Sequence, residues 1–116
     1  MGHLLFKRKT LLFVAMLACC ASAQAGDVDV DAAQSLVKRN TCNKCHEPGR
    51  DATPFKKIAE RYRNDAQAEA KLIKHLTSSP EVKFLDGKKD EHKTVRTSPA
   101  NDEAQLKNLV QWVLSH

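Results

Sequence analysis

Beyond residue 16 the chain has no methionine; its only two are Met1 and Met16. Aromatic residues are scarce, with one Trp, one Tyr and four Phe, too few to build a thick core in a small domain. Cysteine stops at Cys45, and no second zinc-type pair follows Cys42 and Cys45. No basic run is interleaved with aromatics, so the pI of about 9.1 does not argue for nucleic-acid binding. There is no internal repeat and no convincing strand pattern. The missing strands exclude a thioredoxin-like setting for the cysteine pair.

What is present begins with an export signal. Lys7, Arg8 and Lys9 form a positive head, Leu11 to Ala18 an apolar run, and Ala23-Gln24-Ala25 a small-x-small cleavage pattern. The apolar run is shorter than the roughly 20 residues a membrane-spanning helix needs. We therefore read 1–25 as a cleaved secretory signal and 26–116 as the mature domain. An uncleaved anchor, or a lipoprotein cut before Cys19 or Cys20, is the alternative. Three of the 19 Lys and Arg and none of the 14 acids lie in 1–25, which leaves the mature chain at +2. Its cysteines fall to two, so no other thiol remains to pair with either.

Those two cysteines belong to Cys42-Asn43-Lys44-Cys45-His46, which reads C-x-x-C-H, the attachment signature of a c-type haem. Two thiols three positions apart on one helical turn can add to the two vinyl groups of one porphyrin. The next residue, His46, is then placed to ligate the iron from one face. One covalent haem c would also supply much of the buried apolar area that the sequence lacks.

The rest of the chain reads as helices. Ala32 to His46 is expected as one helix, bent near Asn40, with Ala33, Leu36 and Val37 as its apolar stripe. Glu47-Pro48-Gly49 breaks it. Thr53 as cap and Pro54 in the first turn open a second helix with Phe55, Ile58, Ala59 and Tyr62 on one face. Asn64 or Asp65 caps a third, running to about Thr77, with Leu72, Ile73 and Leu76 buried. Glu81 to Thr97 is a long charged loop with a turn at Asp86-Gly87, and such loops are functional or mobile. Ser98-Pro99 begins the last helix, with Leu106, Leu109, Val110, Val113 and Leu114 at helical spacing.

In this order of parts the chain resembles the small bacterial class I cytochromes c, a monohaem family. Three pieces carry the resemblance: Cys42 to His46, Thr53 to Ala59, and Asp102-Glu103-Ala104 continuing to Gln111-Trp112-Val113-Leu114-Ser115. It implies an all-α, cytochrome c-like fold of about four helices wrapped around one haem. It implies that the Pro54 carbonyl accepts from the other ring nitrogen of His46, and that Trp112 packs where first and last helices cross. The chain departs from the family at that crossing, where Ala33 and Val37 stand near the usual Gly and aromatic. It departs more sharply in lacking the loop methionine that serves as second axial ligand.

His92 is the candidate for that sixth ligand. It sits in the long loop, roughly where the family has Met, among Asp90, Glu91 and Lys93, so packing gives no reason for an imidazole there. The plain alternative is a solvated loop histidine. His75 projects off the buried side of its helix and reads as a flanking surface residue. His116 is terminal. Lys88, Lys89 or Lys93 would first have to lose a proton. An open or water-bound position is the remaining alternative. A zinc site from Cys42, Cys45 and His92 with His46 or His75 is disfavoured by the adjacency of Cys45 and His46.

The function expected is a periplasmic electron carrier, exchanging single electrons between redox protein partners, with bis-His iron. It is expected to be a monomer, with no nucleic-acid partner, reaching a membrane only through a partner. Two imidazoles favour ferric iron more than thioether sulfur does, so the potential is expected to lie below that of a Met-ligated relative. The competing function is a haem sensor or haem enzyme subunit with an open sixth position. No residue spacing marks an acid–base set, and no catalytic residue is assigned.

Overall fold

A computed structural model describes residues 27–116; the segment read as a signal peptide, with Met16, Cys19 and Cys20, lies outside the described residues. Helix α1 spans Val30–Arg39. Asp29 caps it by accepting from the Ala32 amide at 2.9 Å, while Lys38 and Arg39 close its negative end. Ala33, Leu36 and Val37 are its buried face, as the stripe predicts.

The expected single helix over 32–46 is instead two. Asn40 ends α1, Thr41 sits in the left-handed region at φ 57, and α2 (Asn43–His46) is one separate turn. A β-branched residue in that region costs on the order of 1–3 kcal/mol, so neighbouring contacts must hold it there. Asn40 provides them. Its Nδ2 donates to the carbonyls of Leu36 at 3.0 Å and Arg96 at 3.1 Å, and its Oδ1 accepts from the Arg96 amide at 2.8 Å. A side chain just before the C-x-x-C-H turn thus straps down the far end of the loop that carries His92. Asn40→Ala is expected to lower stability by about 1–3 kcal/mol. Urea unfolding reads this as a lower midpoint at unchanged m-value. An unchanged midpoint would deny the strap any weight.

Helix α3 (Phe55–Tyr62) begins one residue later than predicted. Pro54 is the N-cap, not the first helical residue, and its carbonyl accepts from the Lys57 and Ile58 amides at 3.0 and 3.1 Å. Helix α4 (Ala68–Thr77) follows a turn closed by Asp65, whose side chain accepts from the Gln67 amide at 2.8 Å. Helix α5 (Glu103–Leu114) starts at Asp102, which caps the Gln105 amide at 3.0 Å. The Ser98-Pro99 start is displaced because Thr97 and Asn101 form a turn first: the Asp102 amide donates to Thr97 Oγ1 at 2.9 Å.

The charged loop is not without strands. Glu81–Lys83 (β1) and Lys89–Glu91 (β2) pair antiparallel around the Asp86-Gly87 turn, with Gly87 at φ 89. Like charges face each other directly, Glu81 against Glu91 and Lys83 against Lys89, and the diagonal Lys89–Glu81 ion pair at 2.8 Å relieves them in part. Strand pairing therefore does little to hold this hairpin. It is tied at its base and sides by backbone bonds: His92 N to Pro80 O at 2.9 Å, Leu85 N to Asp51 O at 2.8 Å and Val95 N to Leu76 O at 2.9 Å.

Helix α5 packs against α1, α3 and α4. Leu36, Val37, Val95, Leu106 and Leu109 form the core cluster. The start of α1 is clasped to α5 by a reciprocal pair, Asp29 N to Asn108 Oδ1 and Asn108 Nδ2 to Asp29 O, both 2.9 Å. Among the described residues, the only ring that Trp112 meets on another helix is Phe55 of α3, edge-on at 5.3 Å. Its aromatic contact therefore lies between α3 and α5. Ala33 and Val37 are almost wholly buried where α1 lies on α5, so the departures from the family pattern do not open that contact.

Candidate functional site

A cleft of about 430 Å³ opens between α2, α3, α4, the hairpin segment and α5. Cys42, Cys45 and His46 stand on one wall. Phe55, Ile58 and Tyr62 of α3 and Leu72 and Leu76 of α4 make the apolar sides. Leu109, Val110 and Val113 of α5 form the floor.

The break at Asn40 and Thr41 is what presents both thiols to this space. Cys42 and Cys45 are partly buried free thiols. Burial pushes the Cys42 thiol above its usual pKa, its own backbone partly offsets this, and Cys45 adds to the rise. Cys42 therefore stays protonated at neutral pH, the form least prone to oxidation.

His46 is held on two sides. Its ring stacks on Phe55 at 5.2 Å and 18°, and its Nδ1 lies 2.7 Å from the Thr53 carbonyl. A carbonyl can only accept, so Nδ1 carries the proton and Nε2 keeps its lone pair for a metal. The acceptor is not Pro54, to which the resemblance assigned it. The Pro54 carbonyl is used by the first turn of α3, and the carbonyl one residue earlier faces the imidazole.

His92 faces the same cleft from the hairpin segment, with its ring centre 6.1 Å from that of His46 and the planes tilted by 45°. Its Nδ1 is buried without a hydrogen-bond partner. Two imidazoles sharing one metal, each bonded at about 2 Å with its ring centre about 1 Å further back, have centres about 6 Å apart. The observed separation is close to this, and the thiols, the apolar walls and two imidazoles lining one cleft together suit a flat iron porphyrin.

His75 departs from its sequence reading. It is partly buried and lies edge-on to His92, ring centres 4.5 Å apart at 61°. The spacing Leu72, His75, Leu76 gives the reason: α4 has a cleft-facing stripe beside its core-facing one, and that i, i+3, i+4 pattern was the available signal. Burial lowers the pKa of His75, with His46 adding to the fall. Burial also lowers His92, followed by the effect of His75; the Lys93 backbone opposes the fall and His46 adds slightly to it. Both imidazoles are thereby kept toward the neutral form that binds metals.

The other rivals are drawn elsewhere. Lys88 pairs with Asp86 at 3.2 Å and Lys89 with Glu81 at 2.8 Å, whereas Lys93 lines the cleft. His116 packs on Trp112 at 4.5 Å, with its Nδ1 against the Trp112 and Val113 carbonyls, and does not line the cleft. Among the described residues no three His, Cys, Asp or Glu side chains converge as a metal cage, so the zinc grouping is not assembled.

The family model for cytochrome c matches residues 30–116. The crystal structure of the class 1 cytochrome MtoD from Sideroxydans lithotrophicus ES-1 superposes with a TM-score of 0.70 at 50% identity, covering 77% of this chain and 97% of that one. A search of curated proteins finds no match.

Proposed function

The chain belongs to the cytochrome c family, a monohaem electron-transfer cytochrome with covalent haem c, and from this we propose a periplasmic electron carrier with iron held between His46 and His92. Cys42 and Cys45 carry the thioether links. The haem supplies a one-electron ferric/ferrous couple. The observation that carries the ligand assignment is the 6.1 Å opposition of the two imidazoles across one apolar cleft, in a chain with no methionine beyond Met16.

The roles of the surrounding residues follow. Thr53 orients His46 and makes it the more basic donor by accepting its Nδ1 proton. Phe55 fixes the plane of that ring. The apolar walls would leave one edge of the haem in contact with solvent and limit the solvent rearrangement that electron uptake needs. Two imidazoles in both oxidation states keep the geometry nearly constant, and the potential lies below that of a Met-ligated relative. Partners are redox proteins. Lys83 and Lys93 at the cleft mouth suit docking to an acidic surface, with turnover that falls as salt rises. Lys7 to Lys9 and the apolar run after them support export, and nothing in the design asks for a second copy.

The test is the absorption spectrum of ferrous protein before and after CO. An unchanged spectrum is expected, because both axial positions are filled. A clear shift would move the reading to a ligand-binding haem protein with a labile sixth position. That second reading has one observation in its favour: the buried His92 Nδ1 lacks the partner that would anchor it.

A further inference from the structure

A histidine bound to a metal through one nitrogen carries a proton on the other, and that N–H is almost always given an acceptor. Burying it without one costs on the order of 1–3 kcal/mol. His46 meets this requirement at Thr53; His92 does not meet it. Among the described residues, His46, the Lys93 backbone and His75 act on the His92 ring. Across the cleft is His46, whose Nδ1 proton is already used. On its own segment the Lys93 backbone pulls on the ring, raising its pKa, yet Nδ1 makes no hydrogen bond. From α4 comes His75, edge-on at 4.5 Å.

The placing of His75 is not an accident of a loose loop. The bonds from His92 N to Pro80 O and from Val95 N to Leu76 O, each 2.9 Å, bracket His92 and register its segment on the end of α4. A neutral imidazole has both a donor and an acceptor nitrogen. At 4.5 Å and 61° the two rings meet edge to face, and a turn of either ring with a small outward shift brings an N–H of one to the lone pair of the other.

We propose that His75 is the positioning residue for His92, accepting its free ring N–H and so fixing which nitrogen faces the iron and in what plane the ring lies. The inference rests on His92 being the distal ligand. With His75 in this role, the distal imidazole is a stronger donor and is harder to displace.

The experiment uses holoprotein and three variants. His75→Phe keeps a ring without an acceptor, His75→Gln restores a carbonyl oxygen, and His92→Ala tests the underlying reading. His75→Phe is expected to raise the midpoint potential, to change the low-spin ferric EPR spectrum, and to let ferrous protein bind CO at a concentration that leaves wild type unchanged. His75→Gln is expected to return all three toward wild type, which a purely packing role would not do. In unmodified ferrous protein, nitrogen NMR is expected to show a slowly exchanging His92 ring N–H, coupled to a His75 nitrogen. This readout does not depend on any variant folding.

If His92→Ala becomes high-spin while His75→Phe matches wild type and the N–H exchanges freely, the positioning role is overturned and the ligand reading stands. If His92→Ala stays six-coordinate, both are overturned. If, in addition, His75→Phe alone becomes high-spin, His75 is itself the ligand.

Discussion

Replacing Cys42 and Cys45 together with serine is expected to give a chain that retains no covalent haem and does not keep its helical fold. The reason lies in what the core contains. Among the described residues its buried hydrophobic side chains are all alanine, valine or leucine, with no buried aromatic. Around these stands a cleft of about 430 Å³. That cleft is open to solvent, so without its occupant Phe55, Ile58, Leu72 and Leu76 stay only partly buried along its walls. Each large apolar side chain left wet forgoes up to about 1.5–3 kcal/mol. A domain of this length has a net stability of about 4–13 kcal/mol, so losing a few such side chains is enough to unfold it. Haem staining on a denaturing gel reads the covalent link, and far-UV circular dichroism reads the helices. Native helix content in the double variant would show that the protein core is sufficient alone. Each single serine variant is expected to keep one link and remain folded, with lower thermal stability.

The second large effect is on ligation. His92→Ala is expected to turn a six-coordinate low-spin spectrum fully high-spin and to let ferrous protein bind CO stoichiometrically. Stability is expected to fall by about 1–3 kcal/mol: the ring is only partly buried, but its bond to the iron and its contact with His75 are both lost. His92→Met is the complementary change. It is expected to restore a low-spin spectrum at higher potential, since the softer sulfur favours ferrous iron. A low-spin, CO-inert His92→Ala protein would remove His92 from the iron. The contrast with the cysteine pair is informative: one substitution empties the fold of its filling, the other only unseats a ligand.

Much of this arrangement was legible in the residues. C-x-x-C-H and the stripe Leu106, Leu109, Val110, Val113 are local patterns, and local patterns survive folding. The cytochrome c fold was readable from their order. A bend near Asn40 was expected, but not its sharpening into a full break with Thr41 at positive φ, because that depends on Arg96, a partner 56 positions away. The hairpin was missed because Glu81–Lys83 and Lys89–Glu91 carry no alternating apolar residues; backbone bonds to Asp51, Pro80 and Leu76 hold it instead. The acceptor for His46 lies one residue before the proline to which the resemblance carried it, because the Pro54 carbonyl is taken up by the first turn of α3. His75 was misjudged because one apolar face was assigned to a helix that has two. For the break and the hairpin the missing information was tertiary; for His75 it lay in the spacing Leu72, His75, Leu76.

The Asn40–Arg96 strap also implies an order of assembly. On the finished chain both thiols sit in the wall of a half-enclosed cleft, next to a loop closed by a contact between distant positions. A haem-attaching machine must reach those thiols and the porphyrin edge together, which the closed form hinders. Closing a loop of that length is also slow and costly in entropy. The geometry favours attachment first, on an open and pliable polypeptide, and latching second, once the disc has gathered the helices. The strap then acts as a clasp fastened after loading, and a variant that fastens it early is expected to take up haem poorly.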